Sequence, residues 1–177
     1  YEIYQCNWSS DVCSSDLFTI QTQYLQNRRV SLVGSSATVI NRSGEFIGHI
    51  PVNTSLNKIK KELLRRNQFI HPTLMFNRDV IQNIQYDSSL SVAQDYGFLL
   101  EIAKHFEICN VNENLLCYRI HDSNDSGKRV PFAQMRILGK LKIELALELG
   151  ISKLYCAFWH TLWMIKRSEE HTSELQS

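Results

Sequence analysis

The sequence predicts an α/β fold with a helical C-terminal extension, and three observations carry that expectation. Val30 to Ile40 (Val-Ser-Leu-Val-Gly-Ser-Ser-Ala-Thr-Val-Ile) is rich in β-branched residues and partly alternating, as a strand requires. Two segments then repeat apolar residues at helical spacing: Leu56, Ile59, Leu63 and Leu64 in one, Phe98, Leu99, Ile102, Ala103 and Phe106 in the other. From Phe132 to Lys166 the chain reads as helix again, in two segments divided near Gly150.

Taken in order, Phe18 to Asn27 has Ile20, Tyr24 and Leu25 at helical spacing and reads as the end of a helix. Asn41-Arg-Ser-Gly44 is a turn signal, so the strand over Glu45–Ile50 should return as a hairpin on Val30–Ile40. Thr54 or Ser55 can cap the next helix. Phe69 to Phe76 reads as a short apolar strand in which Pro72 pushes His71 to extended geometry. Arg78 and Asp79 open a short helix through Ile84, followed by Tyr86-Asp87 and a Ser-rich loop. Ser91 with Gln94 fits a capping box, which starts the helix that carries Asp95. Glu107–Cys109 and Asn114–Ile120 read as strands around a polar turn, and His121 to Gly127 as a polar loop.

The composition narrows the classes. With 177 residues there is room for one domain with a sizeable core. Apolar residues at 44% and charged residues at 21% are ordinary for a soluble protein, and no apolar run reaches the roughly 20 residues that span a bilayer. A net charge of +1 gives no electrostatic reason to expect nucleic acid. The five cysteines have no zinc-like or disulfide-like spacing; with no signal-peptide pattern at the start, this favours a reducing, cytoplasmic setting. Cys109 and Cys117 lie in predicted strands and read as small core residues.

The two ends differ from the rest. Trp8 to Leu17 and Arg167 to Ser177 both resemble translations of the adapter oligonucleotides ligated to DNA for sequencing. On that reading residues 1–17 and 167–177 belong outside any functional argument, and the native segment was cut at both ends.

Asp95 is the candidate for chemistry. It lies in the first turn of an apolar-faced helix, where the helix dipole favours a negative charge. A carboxylate anchored there can act as a general base, or it can simply complement the dipole. The surrounding order of motifs bears on that choice. Asn67-Gln-Phe-Ile-His-Pro-Thr-Leu-Met-Phe-Asn-Arg78, Tyr86-Asp87, Gln94-Asp95-Tyr96 and Leu115-Leu-Cys-Tyr-Arg-Ile-His121 stand in the order and spacing of a family 2 glycosyltransferase. The segment from about Phe18 to Ser126 resembles the second half of that family's GT-A, Rossmann-like nucleotide-diphospho-sugar transferase domain. Residues 127–166 then form a helical extension.

The resemblance implies a nucleotide-sugar donor, a saccharide or lipid-linked acceptor, and inverting transfer with Asp95 as base. Gln94 stands where many members have Glu. Arg119 and His121 resemble the segment that approaches the donor diphosphate and a divalent cation, Mg2+ or Mn2+, with His121 a possible metal ligand. His71 would border the acceptor cleft or be a satisfied, partly buried histidine, and Tyr96 would stack on the acceptor or pack beneath the helix. The family's Asp-x-Asp metal motif and nucleotide-binding half should precede Phe18. Asp16 mimics the motif by position only, so the chain as written is expected to be inactive. The Phe158-Trp159 and Trp163-Met164 cluster suits either a peripheral contact with the inner face of a membrane or an ordinary core helix. The competing reading is a non-catalytic α/β module that binds an acidic partner through the basic run Lys58 to Arg66.

Overall fold

A computed structural model describes residues 3–5, 12–14, 16–27, 30–120, 130–155, 157, 158 and 160–162. Strands β1 (Ile3–Gln5), β2 (Val12–Cys13), β3 (Leu32–Ile40), β4 (Phe46–Ile50), β5 (Met75–Asn77) and β6 (Ile108–Arg119) form one mixed sheet. Its order is β1-β5-β3-β6-β2, with β4 on β3 beside β5. Only β3 and β6 run parallel; the other pairs are antiparallel. The α/β class therefore holds.

Period-2 alternation explains why β3 and β6 are apolar on both faces. Leu32 and Ile108 point to one side, Val33 and Cys109 to the other. Helix α1 (Leu17–Asn27) covers the Val33 side with Leu17, Ile20, Tyr24 and Leu25. The opposite side is covered by α2 (Leu56–Leu63), α4 (Gln94–His105) and α5 (Phe132–Glu148), which contribute Ile59, Leu99, Ile102 and Leu138 to the larger core. Short α3 (Arg78–Ile81) follows β5. Lys104 on α4 ties that layer together, 2.6 Å from Glu101 and 2.8 Å from Glu144 on α5. Burial pulls the Lys104 pKa down, but the two carboxylates outweigh it and hold the ammonium above its ordinary value. Gly150, at φ 67, ends this helical run, and helical residues resume at 153, dividing the extension where the sequence predicts. There Leu154, Tyr155 and Phe158 are exposed. No described helix is long and apolar enough to cross a membrane.

Four local expectations are corrected. Ser91 does not cap α4: Ala93 is the N-cap, in a left-handed conformation, and Ser91 Oγ instead accepts a 2.7 Å hydrogen bond from Gln134 on α5. Tertiary contact with α5 has taken the side chain that a local capping box would use. His71 is not in an extended strand but opens a 3-10 turn, His71–Thr73, because the Thr73 hydroxyl is held by β3. The helix after β5 stops at Ile81 rather than Ile84. Finally, the two strands expected around a polar turn are one strand, β6. The exposed Asn112 and Glu113 bulge out of it, where the register jumps from Ser35↔Val111 to Ser36↔Asn114.

Opposite Asn110, β3 has Gly34. A Cβ at Gly34 would collide with Asn110 Oδ1 and lie 2.9 Å from Phe69 Cδ1. We expect Gly34→Ala to cost about 1–3 kcal/mol through this overpacking, measured as a lower urea midpoint with unchanged slope. Unaltered stability would show that the loops over β3 yield freely.

Candidate active site

Two supports rise from the sheet to one place. The first comes from β3, where Ser35 N–H donates to Thr73 Oγ1 at 3.0 Å. The Thr73 hydroxyl lies 2.7 Å from the Ile70 carbonyl. The Thr73 carbonyl takes a 2.7 Å bond from Gln21, fully buried on α1. The 3-10 turn is thus pinned, and His71 with it. The second support comes from β6. Asn110 Nδ2 donates to the carbonyls of Gln68 at 2.9 Å and Asn53 at 3.2 Å. This fixes the segment in which Asn67 Oδ1 accepts from Phe69 N–H at 3.0 Å. With its oxygen committed, the Asn67 amide presents Nδ2 to Asp95 Oδ2, 3.3 Å away.

Asp95 is half-buried in the first turn of α4. The carboxylate also acts on His71. Burial, the larger influence, pushes the His71 pKa below its ordinary value, and the nearby Asp95 charge partly restores it. His71 Nδ1 is buried and meets no hydrogen-bond partner among the described residues. Beside it stands an aromatic stack. The Tyr86 ring lies 6.2 Å edge-on from His71 and 4.4 Å, nearly parallel, from Phe98; Phe76 meets Phe98 edge-on at 5.8 Å. The site therefore joins a carboxyl group, an imidazole whose proton affinity is lowered by burial, and a braced phenol ring.

Ala93, immediately before α4, has φ 60 and ψ 31. A non-glycine residue in that region is strained by roughly 1 kcal/mol or more, and such strain gathers at functional sites.

The other predicted residues lie as follows. Tyr96 is 7% exposed, its hydroxyl donating to the Leu63 carbonyl at 2.5 Å and its ring 5.2 Å from the ammonium of buried Lys142. It packs beneath the helix. Arg119 is not beside Asp95: its Nη1 donates to the carbonyls of Asn41 and Arg42, both at 3.0 Å, and so clamps the β3–β4 turn. From Ser35 to Ile40, the partner of Arg119, the strand advances roughly 16 Å at about 3.3 Å per residue. His121 lies outside the described residues, as do Asp16's neighbour at 15, Trp159, Trp163 and Met164. Among the described residues no three His, Cys, Asp or Glu side chains are grouped to hold a metal, and no step is assigned to one. On the basic helix, Lys60 pairs with Glu107 at 2.7 Å and Arg65 with Glu62 at 3.8 Å. A cavity of about 290 Å3 lined by Tyr24, Thr54, Leu56 and Cys109 to Glu113 contains none of the predicted site residues.

Apolar periodicity assigns no role to Asn67, Tyr86 or Asn110. Asn67 carried a signal, an Asn two residues before Phe69 at a helix-to-strand junction, which favours an Asx turn. Asn110 carried another, a lone amide in the apolar run Ile108 to Val111.

The comparisons with known proteins point to one class, the glycosyltransferases. The chain is 36% identical over 107 residues to the O-antigen biosynthesis glycosyltransferase WbnJ of Escherichia coli, covering 59% of this chain and 42% of that protein. It is 27% identical over 113 residues to an uncharacterised glycosyltransferase of Methanocaldococcus jannaschii, covering 62% of this chain and 39% of that one. The chain thus spans about two fifths of the length of these curated relatives. No protein-family profile matches it.

A titration checks the geometry. Because the folded His71 pKa is lowered, the unfolded chain binds its proton first as pH falls. The His71 contribution to stability is therefore complete above about pH 6.5 and is lost below it. His160 is shifted the same way, by burial first and by Lys142 second, so His71→Asn should reduce the acid-side slope without abolishing it. Asp95→Asn removes the influence that raises His71, so the His71 imidazole NMR midpoint should move further down. An unchanged midpoint would place the carboxylate out of reach of the ring.

Proposed function

We propose that this chain is the acceptor-side part of a glycosyltransferase that moves a sugar from a nucleotide-sugar donor to a saccharide or lipid-linked acceptor with inversion, and that its fold is of the GT-A type. The observation that carries the reading is the junction of Asp95, Asn67 and His71 against the Tyr86–Phe98 stack, in a chain similar to two glycosyltransferases. A sugar hydroxyl is a poor nucleophile. Asp95 takes its proton as the new bond to the anomeric carbon forms and the nucleoside diphosphate departs. Asn67 orients the carboxylate. His71, neutral, offers the acceptor a hydrogen-bonding edge without adding a competing positive charge, and Tyr96 positions the helix turn that carries the base.

The printed name of the Escherichia coli relative supports polysaccharide biosynthesis as the setting. A cytoplasmic protein lying against the inner face of a membrane suits such an acceptor, and the exposed Leu154, Tyr155 and Phe158 are the surface we assign to that contact. Arg119, whose Nη1 holds the β3–β4 turn, is the residue we assign to the vicinity of the donor diphosphate. Divalent-cation ligation falls to residues other than those described, His121 among the candidates.

The test is transfer by the longer transferase that carries this segment. Asp95→Asn should lower kcat by roughly 10²- to 10⁴-fold, the usual worth of a positioned base, while the amide NMR spectrum stays native. Neutralising Lys58, Lys61 and Arg66 should leave transfer intact. The reverse pattern, indifference to Asp95 and loss on removing those charges, would favour an interaction module instead.

A further inference from the structure

The aromatic stack is built in a way that packing alone does not require. Phe98 is core, 4% exposed, and its edge is held by Phe76. Tyr86 lies flat upon it, 15° from parallel, yet keeps 42% of its surface in solvent. Its loop is not loose: Asp87 Oδ1 accepts from Ser89 N–H at 2.8 Å, Leu90 N–H returns to the Asp87 carbonyl at 3.0 Å, and Leu90 is fully buried. An exposed aromatic ring is thus held rigidly by one covered face. Its location matters as much as its rigidity. Phe98 follows Asp95 by three residues on α4, so their side chains are neighbours on one helix face, about 5–6 Å apart at Cβ. Phe98, the ring on which Tyr86 lies, is thus one helical turn from the carboxylate, and His71 stands at the edge of Tyr86.

We propose that Tyr86 is the platform on which a pyranose acceptor stacks, and that it selects rings presenting an unbroken face of C–H groups. The inference rests on the acceptor-cleft reading above. A gluco- or galacto-configured pyranose has such a face, formed by hydrogens at C3 and C5 among others, while its hydroxyls project from the ring edge or, for the axial 4-hydroxyl of the galacto form, from the opposite face. Laid on the uncovered face of Tyr86, the ring buries its least polar surface on a π face and leaves its ring-edge hydroxyls free to bond, with His71 at the platform's edge. A flexible polyol has the same hydroxyls without the face. Discrimination between them follows from shape, and it needs no charge.

The experiment is a proton NMR titration of methyl β-galactopyranoside, methyl β-glucopyranoside and sorbitol with the 177-residue chain. The ring current of Tyr86 should shift H3 and H5 of at least one glycoside upfield and leave sorbitol unshifted. Tyr86→Phe should keep the shift, and Tyr86→Ala and Tyr86→Leu should weaken binding about tenfold, in line with the energies of aromatic stacking. Wild-type chain that shifts neither glycoside, or alanine and leucine variants that bind as well as wild type, would overturn the proposal. The base is judged separately, by transfer. If Asp95→Asn transfers normally and the Tyr86-dependent shift persists, the base assignment falls and the platform stands. If Asp95→Asn stops transfer and Tyr86→Ala binds like wild type, the platform alone falls.

Discussion

The Asn110 amide, buried in β6 against Gly34, donates to two carbonyls from different loops, and the placing of Asn67 against Asp95 depends on those two bonds. An amide at that depth carries a desolvation cost unless both its ends find partners. Here the Nδ2 end is fully used, ordering Asn53 before α2 and Gln68 after it, while Oδ1 meets no partner among the described residues and its desolvation cost stands. Without a side chain at position 34 there is room for the amide; with one, the loops would have to rise from the sheet. A polar group in the apolar run of a central strand thereby converts sheet rigidity into loop rigidity. Asn67, one residue from the tether, transmits it to Asp95.

Much of this was legible in the sequence because it depends on periodicity. The β3–β4 hairpin, the faces of α2 and α4, the break near Gly150 and the buried cysteine at position 109 all follow from local apolar spacing. What was not legible depends on partners far along the chain. Ser91 has the local pattern of a cap, but Gln134, 43 residues away, claims its hydroxyl. His71 has a proline behind it that favours extension, but the bond from Ser35 to Thr73 curls the segment into a turn. Asn112 and Glu113 read as a turn since polar residues in a strand are ambiguous between reversal and bulge; only continued pairing of Ser36 to Ile40 with β6 decides for the bulge.

The site divides along the same line. Asp95 could be singled out because its position on α4 is a local property, and the fold brings His71 close enough to feel its charge. Arg119 was drawn to the diphosphate by sequence likeness, whereas its guanidinium closes the β3–β4 turn. A guanidinium has five donors in a fixed fork, and here one nitrogen of it, Nη1, serves both turn carbonyls. Tyr86 went unassigned because an exposed tyrosine in a polar loop has no periodicity to betray it. Its meaning lies in being stacked, which only coordinates reveal.

Ala93 holds one more consequence. Its left-handed backbone lets the chain enter α4 abruptly, so that the carboxylate two residues later is set by the entry angle as much as by any side chain. A glycine there would relax the backbone and raise the stability of the fold, and it would also widen the range of directions from which the helix can begin. Selection for a sturdier protein and selection for a well-aimed carboxylate therefore pull against each other at a residue that carries no chemistry. Stabilised variants obtained without regard to activity should accumulate changes at this position, and the spread of carboxylate orientations would be the first property to suffer.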